Sequence, residues 1–333
     1  MKFGCIGLDH RHIYGMASGM IAVGAECIGY YSRDNAEPIE GFKKRFPNVP
    51  RVSTPKELLD NNDIQLILCA AIPSERADYC IQAMLKGKDV MVDKPGMINF
   101  EQLERIVEVQ KKTGALYSID FSEHFEVPSV LKAKQLIDEG FIGNVIQTIG
   151  FGPHRHNPHL RRPWFYDKNK YGGILIDIAS HQIDQFLWLT ESNNANIISS
   201  SVGNYANKQY PEFEDFGEIL IKSEKANGYI RVDWYTPDAL PTWGDGRLFI
   251  QGTKGYMELR KYIDIEGQDG KDHLFLVTDK HYERINCQDT EIKYFKDYYT
   301  DIINRTENTM SHKHCFKVCE LTLQAQAKSI KLV

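Results

Sequence analysis

The stretch Tyr171-Gly172-Gly173-Ile174-Leu175-Ile176-Asp177-Ile178-Ala179-Ser180-His181-Gln182-Ile183-Asp184 sets charged groups at regular intervals into an otherwise apolar run. At about 100° per residue, one helix over roughly Ile176 to Thr190 places Asp177, His181 and Asp184 on a single narrow face. A histidine beside a carboxylate has the tuning required of a general base near neutral pH. A buried polar network accounts for the same stripe, and spacing alone does not choose. A second candidate is Asp93-Lys94-Pro95, directly after the strand-like KDVMV. A desolvated lysine there can hold a hydroxyl and ease its deprotonation, against the plainer reading of a surface lysine in a turn.

Gly4-Cys5-Ile6-Gly7-Leu8-Asp9-His10-Arg11-His12 stands where a strand-to-helix turn can hold a pyrophosphate on backbone amides. Aligned on Gly7, the G-x-G-x-x-G pattern asks for glycine at 9 and 12, where this chain has Asp9 and His12. Asp9 must then point away from the phosphates or cap the helix, and a plain turn capped by Asp9 remains open. Roughly 25 residues on, Ser32-Arg33 can accept a 2′-phosphate and favours NADP over NAD, with Asp34 as the alternative ribose ligand. Between Gly152 and Trp164, the histidines 154, 156 and 159 and the arginines 155, 161 and 162 suit a carboxylate or phosphate, and Trp164 a sugar ring. A loop fixed by hydrogen bonds competes with that reading. His-x-His-x-x-His, helped by Asp177 or His181, could also supply zinc ligands, but the spacing is not diagnostic and no metal is expected.

These residues need a scaffold. The first 120 residues alternate short apolar runs with helical stretches, as a doubly wound parallel sheet does: KFGCIGL, AECIGYYS, QLILCAAIP, KDVMVDKP and ALYSIDFS read as strands. Asn99 caps a helix, and Thr54-Pro55 with Glu57 opens another. After Ser122 the runs from NVIQTIGFG to YERINC alternate closely, as expected for an antiparallel sheet with one face on helices, and two helices close the chain. The 333 residues predict two domains, 1–121 and 122–333, with the last helices able to pack back on the first. A net charge of −5 speaks against nucleic acid, and no apolar run approaches a membrane span. Seven scattered cysteines without CxxC, and a start lacking a secretory pattern, predict a cytoplasmic protein.

Taken together the motifs resemble the Gfo/Idh/MocA family of glucose–fructose oxidoreductases and inositol dehydrogenases, along essentially the whole chain. Asp93-Lys94-Pro95 matches its E-K-P motif with aspartate for glutamate, and Gly172-Gly173 to Asp184 matches G-G-x-x-x-D-x-x-x-H-x-x-D. The resemblance implies an N-terminal Rossmann domain and a C-terminal α/β domain whose large open, mainly antiparallel sheet makes a homodimer or homotetramer. It implies an NAD(P)-dependent dehydrogenase or reductase acting on CH–OH groups of a sugar, cyclitol or sugar acid. Lys94 would assist at the substrate hydroxyl, Asp177 orient the substrate and His181 take the proton, with Pro95 shaping the turn through a cis peptide. The expected dinucleotide contacts are Gly7, Leu8, Asp9, His10, His12, Ser32, Arg33, Ala71, Pro73, Asp93, Lys94 and Pro95. The expected substrate contacts are Lys94, His154, Arg155, His156, Arg162, Trp164, Asp177 and His181. The altered glycine loop supports one alternative, a non-catalytic dinucleotide- or sugar-binding regulator of the same fold; a metal-assisted hydrolase or lyase is more distant.

Overall fold

A computed structural model describes residues 1–266 and 268–333. The chain opens with β1 (Lys2–Leu8), α1 (Ile13–Ala22), β2 (Glu26–Tyr31), α2 (Ile39–Arg45), α3 (Pro55–Leu59), β3 (Leu66–Ala70), α4 (Pro73–Leu85), β4 (Asp89–Asp93), α5 (Phe100–Thr113) and β5 (Tyr117–Asp120). It continues through α6 (Ser122–Phe125), α7 (Pro128–Asp138), β6 (Val145–Pro153), α8 (Lys168–Tyr171), α9 (Ile174–Asp177) and α10 (Ala179–Leu189). Then come β7 (Asn196–Gly203), β8 (Phe216–Lys222), β9 (Asn227–Asp233), β10 (Arg247–Gly252), β11 (Gly255–Arg260), β12 (His273–Thr278) and β13 (Tyr282–Ile285). The chain closes with α11 (Tyr294–Asn304), α12 (His312–Ala327) and β14 (Ile330–Lys331). It forms two compact units: Met1–Asp120 with His159–Gly172 and Lys293–Cys319, and Phe121–Pro158 with Gly173–Ile292 and Glu320–Val333.

The first unit holds a parallel sheet in the order β2-β1-β3-β4-β5. Every residue of β3 and β4 is buried, as the apolar run of β3 and the Val90-Met91-Val92 centre of β4 require of strands covered on both faces. Strand order reverses between β1 and β3, so the turns after β1, β3 and β4 gather at the carboxyl ends beside the crevice where such sheets take ligands. Local chemistry sets the helix ends. Asn99 accepts from the Gln102 N–H, Gly114 closes α5 in the left-handed region, and Thr54 with Glu57 forms a capping box on α3.

The second unit holds a mixed nine-stranded sheet, β13-β12-β11-β10-β6-β9-β8-β7-β14. Most neighbours run antiparallel, while β6 pairs β9, and β14 pairs β7, in parallel. One face packs on α7, α9 and α10, around Val130, Leu136, Leu189, Ile250, Met257 and Leu276. Among the described residues no helix is long and apolar enough to cross a membrane.

Two expectations change. The helix expected over Ile176 to Thr190 is two helices, broken at Ile178 (φ −109°, ψ −48°), so Asp177 ends α9 while His181 and Asp184 belong to α10. Branched side chains at 174, 176 and 178 crowd the ladder, and the His181 N–H turns to the Ile178 carbonyl at 3.2 Å. Asp9 does not cap α1: the position before that helix is His12, and no side chain caps it.

Candidate active site

Gly7 is the glycine of the first turn that the fold enforces. Its φ is +74°, and a Cβ there would lie 2.7 Å from the Ala71 backbone nitrogen. Asp9 and His12, which occupy the other two glycine positions, both turn aside. Asp9 is buried and pairs with the Arg33 guanidinium at 3.0 Å. Burial pushes its carboxyl up to about 6, with Arg33 pulling the other way and Glu75 adding to the rise. His12 Nδ1 lies 2.8 Å from Asp93 Oδ1, and His10 Nδ1 lies 2.9 Å from Asp93 Oδ2. The strand-to-helix turn therefore keeps its glycine and an uncapped helix start, and in these respects fits a dinucleotide phosphate.

Asp93 is fully buried, and that burial is the largest single influence on its carboxyl, pushing it up. Arg76, His10 and His12 together outweigh it and hold the carboxyl well below the usual carboxylate range. Arg76 is itself only 1% exposed and donates to Asp93 Oδ2 at 2.7 Å, to the Asp93 and Pro95 carbonyls at 2.9 Å each, and to the Ala71 carbonyl at 2.7 Å. One guanidinium thus fixes the end of β4 and the turn after β3. Lys94, 4% exposed, sits in that frame before a cis Pro95. Sequence reading did not single out Arg76; its signal is a charge on the face of α4 that also carries Ala77, Cys80 and Met84.

Among the described residues, the donor atoms that could surround a cation are those of His10, His12 and Asp93, within 4.8 Å of one another. Zinc ligands in a tetrahedron stand about 3.3 Å apart. The 2.8 and 2.9 Å His–Asp spacings are hydrogen-bonding distances, and Arg76 already occupies one carboxylate oxygen. Asp93 is hydrogen-bonded to His12 and Arg76 as it stands, with His10 Nδ1 at ion-pair distance. The histidines at 154, 156 and 159 form no such group among the described residues.

At the end of β2, Arg33 also pairs with Glu75, and the Ser32 hydroxyl donates to the Arg33 carbonyl at 3.1 Å. Arg51 donates to Asp34 at 2.7 Å and to the Ser32 carbonyl at 2.5 Å. Ala71 and Pro73 are buried at the turn into α4, with Pro73 at its first position. Arg162 is exposed and Trp164 half-buried in the same unit, where Arg161 lies 4.3 Å over the Phe165 ring.

Gly172, which closes α8, and Gly173, the first residue of its segment in the second unit, have φ of +92° and +115° ahead of α9. The Ile174 N–H donates to Glu214 and the Leu175 N–H to Gln326, which tie down the first turn. Asp177 is half-buried at the end of α9; His181 is 2% exposed, edge-on to Phe121 at 6.1 Å. Asp184 Oδ2 lies 2.9 Å from His124 Nδ1, so this carboxylate serves a polar network between α10 and α6. Gln182 and Gln185 join it through Glu123, and Glu123 pairs with Lys261, itself 1% exposed. Glu123 and Lys261 gave no motif in the sequence. His154 packs beside Trp234 and Trp243, with ring centroids 5.3 and 4.6 Å away, and His156 stacks on Phe213 at 5.0 Å. Arg155 is committed to the Pro237 and Leu240 carbonyls and borders Asp238 at 3.5 Å.

Comparison with known proteins bears on this arrangement. Residues 3–121 match the oxidoreductase family with an NAD-binding Rossmann fold, and residues 130–258 match the GFO/IDH/MocA C-terminal domain. A crystal structure from Erwinia carotovora atroseptica SCRI1043, provisionally named an oxidoreductase, is 41% identical over 100% of both chains, with a TM-score of 0.97. The scyllo-inositol 2-dehydrogenase (NAD(+)) of Bacillus subtilis strain 168 is 26% identical over 229 residues, which is 68% of this chain and 61% of that enzyme. The NADP(+)-dependent scyllo-inositol 2-dehydrogenase of the same strain is 29% identical over 45% of this chain and 41% of its own length. The match thus spans less than two thirds of either curated relative. With residues 3–121 and 130–258 matched, the chain belongs to the Gfo/Idh/MocA family of oxidoreductases with an NAD-binding Rossmann fold.

Proposed function

We propose that the protein is an NAD(P)-dependent dehydrogenase or reductase acting on a CH–OH group of a sugar, cyclitol or sugar acid. The observation that carries this reading is the end of β4, where Arg76 is buried to hold Asp93-Lys94-Pro95 in place. Lys94 holds the substrate hydroxyl and eases its ionisation, Asp177 orients the substrate, and His181 accepts the hydroxyl proton at a ring nitrogen. A bound nicotinamide supplies the hydride acceptor or donor. In this reading, residues 1–121 bind the dinucleotide and residues 122–333 bind substrate, with His154, His156 and Trp164 offering ring faces to a sugar. The exposed Arg162 offers charge for a carboxylate or phosphate, whereas Arg155 is held by carbonyls and acts by fixing the segment.

Ser32-Arg33 is the ground for placing NADP ahead of NAD. Because Arg33 pairs with Asp9 and Glu75, a 2′-phosphate has to compete with two carboxylates, and the ratio of the two dissociation constants decides the cofactor. The sheet face opposite α7 and α10 carries half-buried Phe151, Tyr229, Phe249, Tyr256 and Phe275, which suits a homodimer or homotetramer contact. The scattered cysteines without CxxC suit a cytoplasmic setting.

Titration with NADPH and NADH, followed by nicotinamide fluorescence and a screen of sugars and uronates, tests the proposal. With a substrate in hand, His181→Ala is expected to lower kcat by about 10²–10⁴-fold while leaving dinucleotide affinity and the melting temperature in place. Turnover at the wild-type rate removes His181 as the base.

A further inference from the structure

Where the family pattern has glycine at 12 and glutamate at 93, this chain has histidine and aspartate, and the two are in contact at 2.8 Å. His10 completes the cluster from the other carboxylate oxygen at 2.9 Å, and the two imidazoles meet edge to face with centroids 4.3 Å apart. Arg76 keeps the buried Asp93 ionised, so it can only accept. His12 must then present Nδ1–H to it, while His10 Nδ1 stands 2.9 Å away without a formed hydrogen bond and is placed to do the same once its ring carries both protons. A neutral ring with its proton on Nδ1 carries a bare lone pair at Nε2, which repels an anion; it becomes a donor there only by gaining a second proton. The His10 and His12 side chains keep 27% and 32% of their surface exposed, so solvent reaches the rings.

We propose that His10 and His12 recognise the diphosphate of a dinucleotide by taking up protons at Nε2 as it binds, replacing contacts that loop glycines make through their amides. This rests on the cofactor reading above. The groups facing the pair are Asp93 and Lys94 after β4, Arg76 from α4, and each other's rings. The remaining charges nearby are paired off, Arg33 with Asp9 and Glu75, and Arg11 with Glu37. Burial presses His10 down to about 4 against the pull of Asp93, with His12 and Lys94 adding to the fall, so this ring enters the complex neutral at physiological pH.

The test is calorimetric titration of the full chain with NADH and with NADPH, in two buffers of different ionisation enthalpy, between pH 6 and 8. Uptake of about half a proton or more is expected, with affinity falling about threefold or more per pH unit as pH rises. His10→Gln with His12→Gln is expected to abolish the uptake; comparison with wild type cancels the titration of the NADPH 2′-phosphate itself. Dinucleotide binding without proton uptake, or uptake unchanged in the double variant, overturns this inference and leaves the cofactor reading standing. Failure of both dinucleotides to bind at any pH overturns the two together.

Discussion

A single buried carboxylate organises the dinucleotide side of the candidate site. Asp93 is 0% exposed and tolerable there because Arg76 neutralises it and two imidazoles complete its shell. Arg76→Met is expected to cost about 3–5 kcal/mol in urea unfolding, since it strands the charge and frees the turns after β3 and β4. Asp93, with its pKa lowered, lends stability above the ordinary carboxylate range that is lost as pH falls through its folded value. Asp9 has the opposite sign. Its folded pKa is raised to about 6, so the folded state binds the extra proton, and stability falls as pH rises from about 4 to 6 before levelling. Asp9→Asn is expected to remove up to about 2–3 kcal/mol of that decline, read as the difference between wild-type and variant unfolding curves across the window. Identical slopes would show that burial does not govern this carboxyl.

The elements around the second unit's polar residues are short and depend on turn chemistry. Gly172-Gly173 enters α9 with positive φ at both residues, and a Cβ at 173 would run into the Gln326 side chain that bonds the Leu175 N–H. Gly173→Ala is expected to cost more than about 1 kcal/mol and to lower the melting temperature by several degrees. A variant as stable as wild type would mean the turn relaxes freely. The break at Ile178 matters for the same stripe of residues. It ends α9 on Asp177 and begins a new helix bearing His181, so the two residues take their orientation from different helices.

For the assembled protein, the nine-stranded sheet is covered by helices on one face and carries aromatic rings on the other, with Phe249 stacked on Tyr256 at 5.1 Å. Phe249→Asp is expected to reduce a dimer or tetramer to monomer in sedimentation velocity while leaving the fold intact, because the position faces away from the packed helices. A monomeric wild type would remove the oligomer reading altogether.

The sequence by itself determined the order of elements and the parallel sheet, because hydrophobic periodicity and local caps act over a few residues: β3 is apolar throughout, β4 is apolar at Val90-Met91-Val92, and Asn99, Gly114 and Thr54-Glu57 mark helix ends. It also located the loop at Gly7, the Asp93-Lys94-Pro95 turn and the glycine pair before Asp177 and His181, since each is a contiguous motif. Tertiary structure decided what those side chains touch. Asp9 going to Arg33, His12 to Asp93, and Asp184 to His124 are pairings across 24, 81 and 60 residues that no local spacing encodes. Arg76, Glu123 and Lys261 stayed hidden for the same reason. A buried charge is stable only beside its partner, and the partner is chosen by how strands and helices pack.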